Sequence, residues 1–108
     1  MAELPPLQYR LVSNQGLQTE INALESQMKA LQPGSPEYEY DQLQLKREQR
    51  ELEIRQENPK LNPMTQSGEH ALAQIMSQDP TLQAINSETQ SLINAYPNES
   101  TSWGIPLS

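Results

Sequence analysis

Residues 13–36, SNQGLQTEINALESQMKALQPGSP, decide the fold of this chain. Apolar side chains recur there at alternating steps of four and three residues, which holds them on one side of a helix. They are Leu17, Ile21, Leu24, Met28 and Leu31. Pro33-Gly34 stops this helix, and Ser35-Pro36 supplies a side-chain cap and a first-turn proline for the next one. Because so few residues connect them, the two helices are predicted to form an antiparallel hairpin.

The second helix of this hairpin, predicted over residues 36–57, carries apolar residues on two faces. Residues two apart on a helix point about 200° away from each other. The two nearly opposite faces hold, respectively, Tyr38, Leu45 and Leu52, and Tyr40, Leu43 and Ile54. Residue pairs of this spacing also occur in β-strands, but the length and the capping signal favour a helix. A hairpin buries one face only, so we expect a further element or another chain to cover the second.

The two-faced pattern predicts that Asp in place of Leu43 or Ile54 spares the helicity of the hairpin and abolishes association. Asp in place of Leu24, which lies on the hairpin seam, should instead unfold the hairpin.

A 4-3 spacing also occurs inside small helical domains. The seam of the first helix is therefore compatible with an internal core as well as with an intermolecular coiled coil.

Prolines divide the chain into five segments. These are an extended N-terminal arm (1–12), the helical hairpin (13–58), a linker (59–66), a second helical pair (67–96) and a C-terminal tail (97–108). Helices are expected at about 14–32, 36–57, 67–78 and 80–96, which makes the predicted fold all-α. The last of these helices repeats the 4-3 spacing through Leu82, Ile85, Thr89, Leu92 and Tyr96.

Apolar residues alternate with polar ones in both terminal segments. They are Leu7, Tyr9 and Leu11 in the N-terminal arm, and Trp103, Ile105 and Leu107 in the tail. Such segments can add a strand to a partner's sheet or fill a groove, so we expect them to dock on neighbouring chains. The alternative is a tail that is disordered or folds back onto its own helices.

The apolar core is small for a chain of 108 residues. Leu, Ile and Val account for 21 of them, and Phe is absent. That share is close to the roughly 20% below which charged chains tend to be disordered, although the helical periodicity argues against disorder. We therefore expect subunits to borrow apolar surface from one another or from a partner.

The chain has a formal net charge of −7, and its bases are interspersed with acids. Lys46, Arg47, Arg50 and Arg55 alternate with Glu48, Glu51, Glu53 and Glu57, and residues 61–108 contain no Lys or Arg. Phosphate binding needs clustered cations, so nucleic acid is not an expected ligand. The acids are expected on a solvated surface, with mimicry of nucleic acid as the alternative.

The sequence shows no constellation of catalytic or metal-binding residues. Cysteine is absent, which removes thiolate nucleophiles and Cys-based metal sites. His70 is the only histidine, so the paired Glu-x-x-His motifs of a di-metal bundle cannot form. The carboxylate pairs Glu37/Asp41 and Glu48/Glu51 share helix faces, where they are expected to be solvated. We therefore expect no enzymatic activity, no cofactor and no metal.

The start of the chain, Met-Ala-Glu-Leu-Pro-Pro-Leu, lacks the basic residues and the apolar run of a cleavable signal peptide. No stretch approaches the roughly 18 apolar residues that a membrane-spanning helix needs. We expect synthesis in a cytoplasm without membrane insertion, which is compatible with a place in a virion or an exported assembly.

The helix, Pro33-Gly34-Ser35-Pro36, helix arrangement resembles the hairpin of type III secretion needle subunits and of small hairpin co-chaperones of those systems. The resemblance is architectural and covers residues 13–58. Trp103 lies at the opposite end of the chain from the tryptophan expected of a needle subunit. What the resemblance implies is a helical subunit that repeats in an assembly.

These patterns predict a non-enzymatic structural subunit of a homo- or hetero-oligomeric assembly of the virion, tail or secretion apparatus type. Its partners would be copies of itself and other assembly subunits, bound through helix packing and terminal arms. One alternative is a small helical adaptor or chaperone that holds a partner's helix. Another is an acidic inhibitor that occupies a basic site on its target.

Overall fold

The computed structural model describes residues 12–103, and these fold into four α-helices without a strand. The helices are α1 (Asn14–Lys29), α2 (Pro36–Glu57), α3 (Gln66–Ser77) and α4 (Pro80–Ala95), followed by a 3₁₀ turn at Glu99–Ser102. The predicted all-α class is confirmed, and α1 and α2 pack against each other as a hairpin. The expected docking of Leu7, Tyr9, Leu11, Ile105 and Leu107 falls outside the described residues.

Each α-helix begins at a side chain that accepts a hydrogen bond from a free backbone N–H of its first turn. Ser35 Oγ accepts from the Tyr38 N–H at 3.2 Å, and Asp79 Oδ2 accepts from the Leu82 N–H at 3.0 Å. A proline follows each of these two caps in the first turn, as the sequence predicts. Thr65 caps α3, so that helix begins at Gln66, one residue before the predicted start.

The first helix ends at Lys29, three residues before the predicted boundary at 32. The N–H of Ala30 bonds the carbonyl oxygens of Gln27 and Met28, which tightens and closes the last turn. A proline disfavours helical backbone in the residue before it, so the chain leaves the helix ahead of Pro33. Gly34 then adopts a φ of +87°, which glycine reaches without strain, and the chain reverses into α2.

The α2 helix is the centre of the fold, because α1 packs on one side of it and α3 and α4 pack on the other. Leu17, Ile21 and Leu24 form the buried stripe of α1. On the opposite side, one core cluster unites residues of α2, α3 and α4: Leu43, Ile54, Leu72, Met76, Leu82 and Ile85. Of the two possibilities for the second face of α2, a further element or another chain, the structure takes the first, since Tyr40, Leu43 and Ile54 are all buried within this chain.

Two arginines of α2 connect it to distant parts of the chain. Arg50 makes a two-pronged pair with Asp79, with Nη2 at 2.7 Å from Oδ1 and Nε at 3.1 Å from Oδ2. The same Asp79 caps α4, so the pair holds the start of α4 against α2. Arg55 Nη1 donates to the Val12 carbonyl oxygen at 2.6 Å and to Asn14 Oδ1 at 3.3 Å, which holds the start of α1.

Residues 97–103 fold back onto the bundle, and Trp103 makes the contact. Its ring centroid lies 5.2 Å from that of Tyr40 and 6.3 Å from that of Tyr96, and Ile93 completes the cluster. Only 6% of Trp103 is exposed. Of the two possibilities for this residue, docking on a neighbour or folding back, the structure takes the second, because the tyrosines at either side provide an aromatic site within the chain.

The covered second face of α2 reverses the expected effect of a substitution there. Ile54→Asp places a carboxylate among apolar side chains, and we expect it to unfold the bundle, since such burial costs several kcal/mol against a typical stability of about 5–15 kcal/mol. Circular dichroism during thermal unfolding measures this. Ser87→Asp, at an exposed position in the middle of α4, is the control and should melt close to the wild type. A wild-type melt for Ile54→Asp would contradict the packing of α3 and α4 on this face.

The Arg50–Asp79 pair predicts graded effects at Asp79. Asp79→Asn keeps an oxygen for the Leu82 N–H but loses the ion pair, whereas Asp79→Ala also loses the cap, at a further cost of about 1 kcal/mol. The hydrogen bond from Arg50 holds the pKa of Asp79 below its ordinary value. The stability that Asp79→Asn removes should therefore be present above pH 4 and fade as the pH falls below it. Equal urea midpoints for both variants would contradict the capping role.

Candidate functional site

A stripe of polar and charged residues lies on the side of α2 between its two apolar faces, and the structure buries it. The residues follow steps of three and four: Asp41, Gln44, Arg47, Glu48, Glu51 and Arg55. Glu48 has no exposed surface at all. The expectation of solvated carboxylates is thus wrong for Asp41, Glu48 and Glu51. Their heptad-like spacing is a signal for burial that the sequence already contains.

Two arginines of this polar stripe contact other members of the stripe. Arg55 Nη2 is 3.8 Å from Glu51 Oε2, and Arg47 Nη1 donates to Gln44 Oε1 at 3.5 Å. Burial raises the pKa of Asp41 to about 6, and the nearby Glu37 carboxylate adds to the rise. Burial also raises the pKa of Tyr40 to about 12; the positive charge of Arg47 opposes this rise, and the negative charge of Asp41 adds to it.

The fourth side of α2 faces solvent and forms the crest of a broad surface. Its exposed residues are all polar: Gln42, Lys46, Gln49, Glu53 and Gln56. A groove runs along each side of this crest, one between α2 and α4 and one between α1 and α2. We call the surface formed by the crest and its two grooves the three-helix face.

The groove between α2 and α4 consists of two adjoining depressions of about 550 and 430 Å³. Leu43, Lys46 and Glu88 line both depressions, so the groove is continuous along the two helices. Ile85 and Leu92 add apolar surface from α4. Its walls therefore combine an apolar floor with charged side chains at the rim.

The groove between α1 and α2 likewise has two parts, of about 410 and 380 Å³, which share Glu25. Ile21 and Leu52 line the first part. The second part lies at the tip of the hairpin and is the more apolar in composition, with Met28, Leu31, Pro33, Tyr38 and Leu45 along it. Gln49 lines both this groove and the one beside α4, which places it at the centre of the three-helix face.

The three-helix face is nearly neutral although the chain as a whole carries −7. Its grooves are lined by three bases and four acids, which are Lys29, Lys46 and Arg50, and Glu25, Glu39, Glu53 and Glu88. Most of the acidic excess therefore lies elsewhere on the molecule. Another protein surface can approach this nearly neutral face without strong long-range electrostatic repulsion.

The structure separates the predicted interaction residues into two groups. One group is buried in the bundle: Leu17, Leu24, Tyr40, Ile54, Leu82 and Trp103. The other lines the three-helix face: Ile21, Met28, Leu31, Tyr38, Leu43, Leu45, Leu52, Ile85 and Leu92. Tyr96 remains 37% exposed beside Trp103. Gln42, Gln49 and Gln56, which recur every seven residues and favour association in the sequence, lie on the exposed crest, whereas sequence reasoning did not place Lys46 and Glu53 among the interaction residues.

Comparison of the chain with protein-family models, with curated protein sequences and with solved structures returned no match. Over residues 12–103, no helix has both the length and the apolar character to cross a membrane. The same residues contain no group of three or more His, Cys, Asp or Glu side chains placed to hold a metal ion.

The raised pKa of Asp41 predicts a pH-dependent stability. Between about pH 4 and pH 6 the unfolded chain loses this proton while the folded chain keeps it, so stability falls as the pH rises through that window. Asp41→Asn cannot ionise, and we expect it to be more stable than the wild type by about 1 kcal/mol at pH 7.5, after allowance for solvent screening. At pH 4 the difference should vanish. Urea unfolding at both pH values measures it, and a difference that does not change with pH would contradict the assignment.

Proposed function

We propose that this protein is a non-enzymatic structural subunit of a larger assembly and that it binds other protein chains through the three-helix face. One observation carries the proposal: two grooves, each with apolar side chains in its lining, flank an exposed crest on a single face of the bundle. Long shallow grooves between helices are suited to a helix or an extended chain.

The burial of one apolar face of α2, formed by Tyr40, Leu43 and Ile54, changes how such a subunit would associate. Lateral packing through Tyr40, Leu43 and Ile54 would require α3 and α4 to move away, which exposes the core cluster. The three-helix face needs no such opening, since its crest is already at the surface. Association through it leaves the folded subunit intact, as a repeating assembly requires.

The adaptor or chaperone function is a second candidate, and the tip of the hairpin favours it. The groove there has a volume of about 380 Å³ and is lined by Met28, Leu31, Tyr38 and Leu45. Methionine and leucine side chains adapt to differently shaped apolar partners. The acidic inhibitor has less support, because the face that offers the grooves contains bases as well as acids.

The central position of Gln49 provides a test of the proposal. Gln49→Arg places a bulky charge between the two grooves without entering the core, and we expect it to abolish association. Gln74→Arg makes the same change at an exposed position of α3, which lines none of these grooves, and should associate like the wild type. Light scattering behind size exclusion measures the mass of each protein over a roughly hundredfold range of concentration.

The expected result is a wild-type mass that rises above that of the monomer with concentration, together with a monomeric Gln49→Arg of unchanged helicity. A wild type that stays monomeric throughout would overturn the assembly subunit. Equal association of both variants would place the contact surface elsewhere on the molecule. A stable one-to-one complex with a different purified subunit, lost in Gln49→Arg, would support the adaptor instead.

A further inference from the structure

The charges on the crest of α2 have an order that matters for self-association. Lys46 lies on the N-terminal side of Gln49 and Glu53 lies on its C-terminal side, about 10 Å apart along the helix. Both side chains line the groove between α2 and α4. A parallel approach of two such crests would place each charge opposite a charge of the same sign. An antiparallel approach instead places Lys46 of each copy opposite Glu53 of the other.

We propose that the occupant of the three-helix face is a second copy of this chain, bound antiparallel about a two-fold axis that passes near Gln49. The crest of each α2 lies in the α2–α4 groove of the other, and two Lys46–Glu53 ion pairs flank the axis. This inference rests on the proposed function and specifies its partner and geometry. A two-fold contact of this kind uses the same patch on both copies, so it has to be complementary to itself.

Three observations favour a second copy over an unrelated chain. The face is close to neutral, so two copies meet there without the repulsion that a net charge of −7 imposes elsewhere. Arg50, the other base of the α2–α4 groove, is already held by Asp79 and does not compete strongly for Glu53 of the second copy. The Glu53 side chain is 62% exposed and keeps room for a second partner besides Arg50.

The central residues also suit a two-fold axis. Gln49 meets Gln49 of the other copy close to the axis, and a side-chain amide is self-complementary because it both donates and accepts hydrogen bonds. Gln42 lies seven residues before Gln49 and Gln56 lies seven residues after it, so in the antiparallel arrangement Gln42 of each copy lies opposite Gln56 of the other. Leu43 and Ile85 form the floor of the α2–α4 groove, but they are nearly buried in the core, so most of the contact falls on the exposed side chains of the crest and the groove rim.

A reciprocal charge exchange tests this pairing. Lys46→Glu and Glu53→Lys each turn both ion pairs of a homodimer into like-charge contacts, and we expect each variant alone to self-associate about tenfold more weakly than the wild type. In an equimolar mixture, every contact between the two variants is again an opposite-charge pair. The mixture should therefore associate as tightly as the wild type, and native mass spectrometry with one variant labelled with ¹⁵N should show the heterodimer in excess.

The double variant, with Lys46→Glu and Glu53→Lys in one chain, is the matched control, because it has the wild-type net charge and restores both pairs. It should dimerise like the wild type. Circular dichroism of all three variants checks that the loss of the Arg50–Glu53 contact leaves the helices unchanged.

The outcomes separate this inference from the proposed function. A mixture that associates no better than the single variants would overturn the antiparallel pairing, and the proposed function would stand if Gln49→Arg still abolished association of the wild-type chain. Single variants that associate as tightly as the wild type would also overturn the pairing. A wild type that is monomeric at every concentration would overturn both.

Discussion

The rest of the structure depends on one constraint: α2 has to bury the apolar side formed by Tyr40, Leu43 and Ile54 together with the polar stripe beside it, while its other apolar side is only partly covered. Two opposite sides are apolar, and the side between them carries the polar stripe of Asp41, Gln44, Glu48 and Glu51. A single neighbouring helix cannot cover so much of a helix surface. The chain meets the constraint with α1 on one side and α3 and α4 on the other, which makes α2 the middle layer. The ion pair of Arg50 and the hydrogen bonds of Arg55 then hold these neighbours in place.

This arrangement decides which surface remains for function. The apolar face with Tyr40, Leu43 and Ile54 is used inside the fold, and the side of α2 that stays exposed is lined with Gln, Lys and Glu. In the proposed association, the charges of this exposed side would set the orientation of the partner.

Reasoning from the sequence failed where a choice depended on distant parts of the chain. The carboxylates of α2 were expected in solvent because neighbouring residues are charged, yet Glu48 is fully buried. Trp103 was expected on a neighbouring chain, yet it packs on Tyr40, which lies 63 residues earlier. Helix α1 ends at Lys29, three residues before the predicted boundary, and the chain is no longer helical at the residue before Pro33, where proline disfavours helical backbone. For Glu48 and Trp103, the missing information was which part of the chain packs over each side chain, and local periodicity does not contain that information.

The sequence by itself determined the helices and most of their ends, because capping side chains, prolines and apolar spacing act within a few residues of the backbone that they control. It also determined that α2 has two apolar faces, since a helix converts spacing directly into direction. The tertiary structure alone decided that this chain buries Tyr40, Leu43 and Ile54 itself, that the polar stripe is buried and that the side of α2 with Gln49 at its centre stays exposed. Those outcomes depend on which helices pack against each surface, and this packing is determined by contacts between parts of the chain that are distant in sequence.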